Sequence, residues 1–386
     1  MKTKPNKLLH FPNIGEFFKE HLPEGYVNDC SGWGYSRDDV VEAGQKGLLL
    51  TMDIETTGST ACSLYCPHCF RKGKVSDRQL LSFNELEGAI LDAKKLGLKS
   101  VKIIGCGEPL EDRTLLSQIS MLRDNDIKVC IFTKGHVIGS EDLSFKYFNI
   151  SREQLAQDLF DYNVTLLFSI NSFNPLIQDQ IVGVDGFSEV RNRAIEICCK
   201  VGFNAYSTHT PTRLAFVMTP LTHYNKDEAC EVYRWAHFRN IHIVTTPTMV
   251  SGMGKSRLSE LKLNDKELLE IYVRLNEIGV SIGAVKPDDI KLDGCSAYAG
   301  GAPCNQAAVG MYLRNDGILL RCPGDDVTYL GNIRDESLES IWHRSDNYRI
   351  YRGKHNNRCP PKEGPVFPAG FFDTLDTEII TRLFSG

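Results

Sequence analysis

Seven of the thirteen cysteines in this 386-residue chain fall into two groups whose spacing suits metal binding. Cys62, Cys66 and Cys69 lie within eight residues, in Cys62-Ser63-Leu64-Tyr65-Cys66-Pro67-His68-Cys69. Cys295, Cys304, Cys322 and Cys359 follow in the last quarter, separated by 8, 17 and 36 residues. Thiolates hold iron-sulfur clusters through one sulfur per iron, so three of them on a 4Fe-4S cube leave the fourth iron open, and an open position is where a metal site does chemistry. Other readings of the trio are a zinc knuckle completed by His68, or three buried cysteines. Four thiolates complete a second cluster; the alternatives there are structural zinc, whose ligands usually come as two tight pairs, or unpaired buried cysteines.

Elements that would position these groups are visible in the alternation of short apolar runs with amphipathic stretches between residues 48 and 280, which marks βα units and a parallel sheet. Strands are expected at 48–54, 100–104, 127–132, 164–170, 213–218 and 241–246. Helices are expected at 83–96, 114–123, 152–162, 190–200, 226–238 and 265–279, where patterns such as Leu86, Ile90, Ala93 and Leu96 put one apolar stripe against a sheet. Such units give an open doubly wound sheet or a partial barrel, and both gather functional loops at the strand C-termini. Cys62 to Cys69 follow the first strand, at that edge.

Composition is that of a globular protein, 42% hydrophobic and 24% charged with 32 Gly and 16 Pro. The net charge of −5 repels a polyanion, so nucleic acid is not an expected partner. No run approaches the roughly 18 apolar residues that cross a bilayer, and no apolar export stretch opens the chain, so a cytoplasmic protein without membrane partners is expected. In that reducing setting clustered cysteines point to metal. After Gly279 the chain turns to glycine, cysteine and turn residues. Val309, Met311 and Leu313 before Asn315-Asp316-Gly317, with Ile318, Leu320 and Cys322 after it, predict a β-hairpin.

The CxxxCxxC loop after the first strand resembles the cluster motif of the radical S-adenosylmethionine (radical SAM) enzymes, which favour an aromatic residue where His68 stands. Gly105-Cys106-Gly107-Glu108-Pro109, after the second strand, resembles the family's GGEP loop, with Cys106 in place of the first glycine. A side chain there must point away from the cofactor. Glu108 would accept from the SAM ammonium group; as a bland alternative it caps the next helix. Thr133-Lys134-Gly135 and Ser169-Ile170-Asn171 are similar to two further SAM-contacting segments. The resemblance thus implies SAM contacts from His68, Cys106, Gly107, Glu108, Thr133, Ser169 and Asn171, and a SAM-binding 4Fe-4S cluster on Cys62, Cys66 and Cys69.

Cys304 to Trp342 resembles the SPASM and twitch extensions of the same family. This implies one auxiliary 4Fe-4S cluster, on Cys295, Cys304, Cys322 and Cys359. The expected architecture is therefore an α/β partial (β/α)6 barrel of the radical SAM type over residues 48–280, an N-terminal extension over 1–47, and a small twitch/SPASM-like domain with a β-hairpin and tail over 281–386. The remaining cysteines read as small buried hydrophobes. Phe367, Phe371, Phe372 and Leu375 predict a packed tail or a lid.

The activity this implies is reductive cleavage of SAM to a 5′-deoxyadenosyl radical and abstraction of a substrate hydrogen, leading to oxidation, epimerisation or crosslinking. The expected substrate is a small polar metabolite of sugar, aminocyclitol or nucleoside type, because 47 N-terminal residues are short for a peptide-recognition domain. A peptide substrate is the alternative, and a non-catalytic iron-sulfur electron carrier or a zinc-stabilised binding protein are rivals from other classes. The partner implied besides substrate is an electron donor such as flavodoxin or ferredoxin. Asp325 and Asp326, just after Cys322-Pro323-Gly324, are candidates for the acid-base group, against a plain reading as a solvated turn.

Overall fold

Six apolar runs that are buried on both faces become six parallel strands, as expected where helices cover a sheet. They are β1 (Thr51–Ile54), β2 (Ser100–Ile103), β3 (Lys128–Thr133), β4 (Thr165–Ser169), β5 (Leu214–Leu221) and β6 (His242–Pro247). This computed structural model describes residues 14–58, 60, 62–71, 79–355 and 358–384. Each strand pairs in parallel with the next, β1 to β6.

The crossover helices form where periodicity places them. Helix Phe83–Lys95 starts at a capping box, in which Ser82 Oγ accepts from the Glu85 N–H and the Glu85 carboxylate accepts from the Ser82 N–H at 2.8 Å. It buries Leu86, Ala89, Ile90 and Ala93 against the sheet, and each Leu or Ile so buried contributes about 1.5–3 kcal/mol. Helices Leu115–Asp124, Arg152–Asp161, Phe187–Val201, Lys226–His237 and Asp265–Ser281 complete the set.

The C-terminal part continues the same sheet. β7 (Gly310–Leu313) lies parallel to β1 with Thr51 opposite Gly310, and β8 (Ile318–Leu320) and β9 (Tyr329–Asn332) follow antiparallel. The order is β6-β5-β4-β3-β2-β1-β7-β8-β9, an open sheet with β6 and β9 at its edges. The turn between β7 and β8 is the expected Asn-Asp-Gly, with Gly317 at φ 86°.

Two segments outside the family resemblance acquire places. Asn28 to Tyr35 closes the N-terminal end of the strands: the Ser31 carbonyl accepts from Thr165 Oγ1 at 2.8 Å and Cys130 Sγ at 3.2 Å, and Trp33 packs on Phe132 and Tyr298. At the other end of the chain, helix Phe371–Phe384 buries Phe371, Phe372, Leu375 and Ile379, and Phe371 meets Tyr272 of helix Asp265–Ser281 edge-on. The tail is packed down. Among the described residues no helix is long and apolar enough to cross a membrane.

Candidate functional site

The C-terminal ends of β1 to β6 and the segments after β6 and β8 enclose one cavity of about 490 Å³. Cys62, Cys66 and Cys69 line it, as do Cys304, Cys322 and Cys359. The two cysteine groups therefore face one chamber, one set on the loop after β1 and the other on the segments around the hairpin.

The first loop is held by three anchors. Ser63, beside Cys62, gives its N–H and hydroxyl to Glu111, at 3.2 and 2.5 Å to Oε1, and His136 Nε2 sits 2.7 Å from the same oxygen. Arg71, two residues after Cys69, pairs with the buried Glu55 at the end of β1; the same carboxylate takes the Tyr312 hydroxyl and the Asn315 N–H at 3.0 Å, which ties the loop to β7. The third anchor is a close backbone approach: Met253 N–H donates to the Cys69 carbonyl at 2.9 Å, and a Cβ on Gly252 would stand 2.3 Å from Phe70 O and 2.7 Å from Cys69 O. With φ 53° and no room, Gly252 admits no side chain. Gly252→Ala is expected to cost about 2 kcal/mol or more and to lower iron bound at the first loop, read by iron analysis beside thermal melting.

Glu111 gives a pH signature. His136 and Ser63, against the opposing effect of its burial, hold its carboxyl down to about 2. A depressed folded value means the stabilisation is complete above the unfolded value near 4.3 and disappears as pH falls through about 2. The unfolding free-energy difference between metal-free wild type and Glu111→Gln should therefore shrink as pH falls below about 4.5. An undiminished difference at pH 3 would show that the carboxylate is not what holds Ser63.

The loop after β2 carries Cys106, Gly107, Glu108 and Pro109, all lining the cavity. Gly105 and Gly107 take φ of 69° and 107°, whereas Cys106 between them does not need positive φ, which is why a cysteine is accommodated. Cys106 is part of the wall, near Arg71 and Cys69, and burial pushes its thiol up to about 11. Glu108 accepts from Thr133 Oγ1 at 2.5 Å and from the Lys134 N–H at 2.9 Å, and it caps the short turn Pro109–Glu111. Thr133 thus supports Glu108, and a carboxylate with about four acceptor sites keeps room for a ligand donor.

His68, Thr133 and Ser169 line the cavity as well. Asn171 is fully buried, and neither end of its side-chain amide has a hydrogen-bond partner. An orphaned buried amide costs about 1–3 kcal/mol, which a polar ligand relieves. Three thiols on one wall, a glycine that lets backbone approach, Glu108 and this amide together suit a thiolate-held cluster with a zwitterionic ligand.

In the second group, burial and then the neighbouring Cys359 and Cys304 raise the Cys322 thiol well above its ordinary value, so these three share one locality. Cys295 is set apart from them. It is 2% exposed and absent from the cavity wall, its N–H donates to Asp376 of the C-terminal helix at 2.6 Å, and burial and then Asp376 raise its thiol. Of the four cysteines expected to hold one cluster, Cys304, Cys322 and Cys359 thus line the chamber and Cys295 does not, and among the described residues no three ligating side chains yet stand close enough together to grip a metal ion.

The acid-base candidates do not reach the chamber either. Asp325 Oδ1 accepts from the N–H groups of Val327 and Thr328 at 2.9 and 3.0 Å, and Asp326 pairs with Lys255 at 3.0 Å. Pro323 and Gly324 line the cavity but neither aspartate does; they are turn acids.

Sequence models of known families match two stretches of the chain: the radical SAM superfamily over residues 57–236 and the SPASM iron-sulfur cluster-binding domain over 304–362. Over these two stretches the chain carries a radical SAM domain, which implies a SAM-binding 4Fe-4S cluster, and a SPASM domain, which implies auxiliary iron-sulfur binding. Among curated relatives it is 29% identical over 167 residues to a probable GTP 3′,8-cyclase of Sulfurisphaera tokodaii, covering 43% of this chain and 47% of that one. It is 26% identical over 232 residues to a probable GTP 3′,8-cyclase of Saccharolobus solfataricus, covering 57% and 64%. The chain thus matches less than two thirds of these relatives' length. Its fold is similar to that of Streptococcus suis SuiB bound to precursor peptide SuiA, with TM-score 0.56, 17% identity and coverage of 87% and 79%. It is similar also to anSMEcpe with bound AdoMet, with TM-score 0.56, 14% identity and coverage of 87% and 97%.

Proposed function

We infer that this chain is an enzyme that cleaves SAM reductively and takes a hydrogen atom from a small polar metabolite of sugar, aminocyclitol or nucleoside type, with one auxiliary cluster on Cys304, Cys322 and Cys359. The observation that carries this reading is the single chamber walled by both cysteine groups, with Glu108, Thr133 and Ser169 between them. When bound, the first cluster and SAM supply a 5′-deoxyadenosyl radical; the chain's own residues hold and shield it. Glu108, braced by Thr133, offers acceptor sites at the SAM edge. Leu64, Phe70, Ile104, Phe132, Val217 and Val244 give the chamber apolar walls that keep water from a reactive species. A one-electron donor of the flavodoxin or ferredoxin class is the natural partner.

Peptide modification is the second reading, favoured by β9, which ends the sheet with Tyr329 exposed and to whose edge an extended peptide can add, whereas β6 at the other end is buried along its length. Anaerobically reconstituted protein under dithionite should convert SAM to 5′-deoxyadenosine. Deuterated metabolites and deuterated peptides are then compared for label transfer into that product. Transfer from peptides alone selects the second reading, and iron-loaded protein that forms no 5′-deoxyadenosine refutes both.

A further inference from the structure

Asp53 of β1 and Lys102 of β2 stand opposite each other in the strand register, and both side chains face the chamber. They are 6% and 7% exposed. Their charged ends are 4.0 Å apart, beyond hydrogen-bond distance. Asp53 Oδ1 has no hydrogen-bond partner, while Lys102 Nζ gives one of its three donors to Gln306 Oε1 at 3.3 Å and lies 4.9 Å from the Trp33 ring. A buried ion pair left open is costly, since Asp53 Oδ1 recovers no hydrogen bond and Lys102 only one of those given up on leaving water.

A group placed between the two restores both bonds. A hydroxyl fits, because its proton goes to Asp53 Oδ1 while its oxygen accepts from Lys102, and two bonds of about 2.8 Å span a gap of this size. Charge narrows the choice: Asp53 repels a carboxylate or phosphate at this point, and Lys102 repels an ammonium. Around the pair, Trp33 and Tyr298 present ring surfaces with centroids 5.8 Å apart, suited to the apolar faces of a ring with hydroxyls at its edge.

We propose that Asp53 and Lys102 anchor a substrate hydroxyl, and that the substrate is a neutral polyhydroxylated small molecule. This rests on the reading of the chamber as the substrate cavity of a radical SAM enzyme. The test is equilibrium dialysis of tritiated myo-inositol, ribose and adenosine against reconstituted holoenzyme loaded with SAM. At least one probe should bind saturably, and Asp53→Ala and Lys102→Met should each weaken it at least about tenfold, the scale of a hydrogen bond to a charged group. Iron content and far-UV circular dichroism identify which variants are folded, and either variant alone suffices. No saturable binding by wild type, or undiminished binding in a folded variant, overturns the proposal. Asp53-dependent binding in a wild-type protein that forms no 5′-deoxyadenosine under dithionite leaves the site standing and removes the enzymatic reading instead.

Discussion

Replacing Cys62, Cys66 and Cys69 together by alanine is expected to remove about four irons per chain and to bring 5′-deoxyadenosine formation under dithionite down to background. Cys62 is exposed and Cys69 half-buried, Cys66 is buried only in a small cluster with Leu64, Val182 and Phe187 apart from the main core, and the anchors through Ser63, Arg71 and the Cys69 carbonyl do not use a thiol. The fold should therefore survive, with irons on Cys304, Cys322 and Cys359 retained. Loss of activity then reports loss of the open iron and not collapse of the chamber. Iron analysis and 5′-deoxyadenosine measured on one sample decide the matter, and SAM cleavage at the wild-type rate in the iron-depleted variant would overturn the assignment.

Local signals in the sequence carried much of the fold. Apolar runs and one-sided stripes, such as Leu86, Ile90 and Ala93, are written in consecutive residues, and the six expected strands and six expected helices match observed elements to within a few residues. The pairing of β7 with β1 was not legible, because its partners, Thr51 and Gly310, are some 260 residues apart and a parallel register leaves no local mark. The hairpin after β7 was legible from Asn315-Asp316-Gly317, yet nothing in that turn says which strand the hairpin joins.

The same division runs through the site. Cys62, Cys66, Cys69, Glu108, Thr133 and Ser169 were marked by short motifs, and all line the chamber. Glu111, His136 and Ser63 were missed, although Glu111 is three residues beyond Glu108 and His136 three beyond Thr133; each is ordinary until the loops after β1, β2 and β3 are brought to one edge. Asp53 and Lys102 were hidden within runs read only as strands, where a charged residue on the inner face is visible but its partner is not. Asp325 drew attention because it stands close in sequence to Cys322, but the hydrogen bonds to Val327 and Thr328 turn it into the turn.

For the second cluster, Cys322→Ala and Cys359→Ala are each expected to lower bound iron by up to about four per chain, whereas Cys295→Ser should leave iron unaltered. Spacing alone treats the four C-terminal cysteines as equivalent. Geometry does not: Cys304, Cys322 and Cys359 look into the chamber, while Cys295 is packed in the core under the C-terminal helix with its N–H on Asp376. Putting a hydroxyl in that apolar place without a new partner costs about 1–3 kcal/mol, so Cys295→Ser should lower the melting temperature by a few degrees with its visible absorption intact. The chamber cysteines should show the opposite pattern, loss of iron and absorption together, while SAM cleavage at the first loop persists because its three thiols and their anchors are untouched. Iron loss in Cys295→Ser equal to that in Cys322→Ala would restore Cys295 as a ligand and require the segment from Cys295 to Cys304 to rearrange around the cluster.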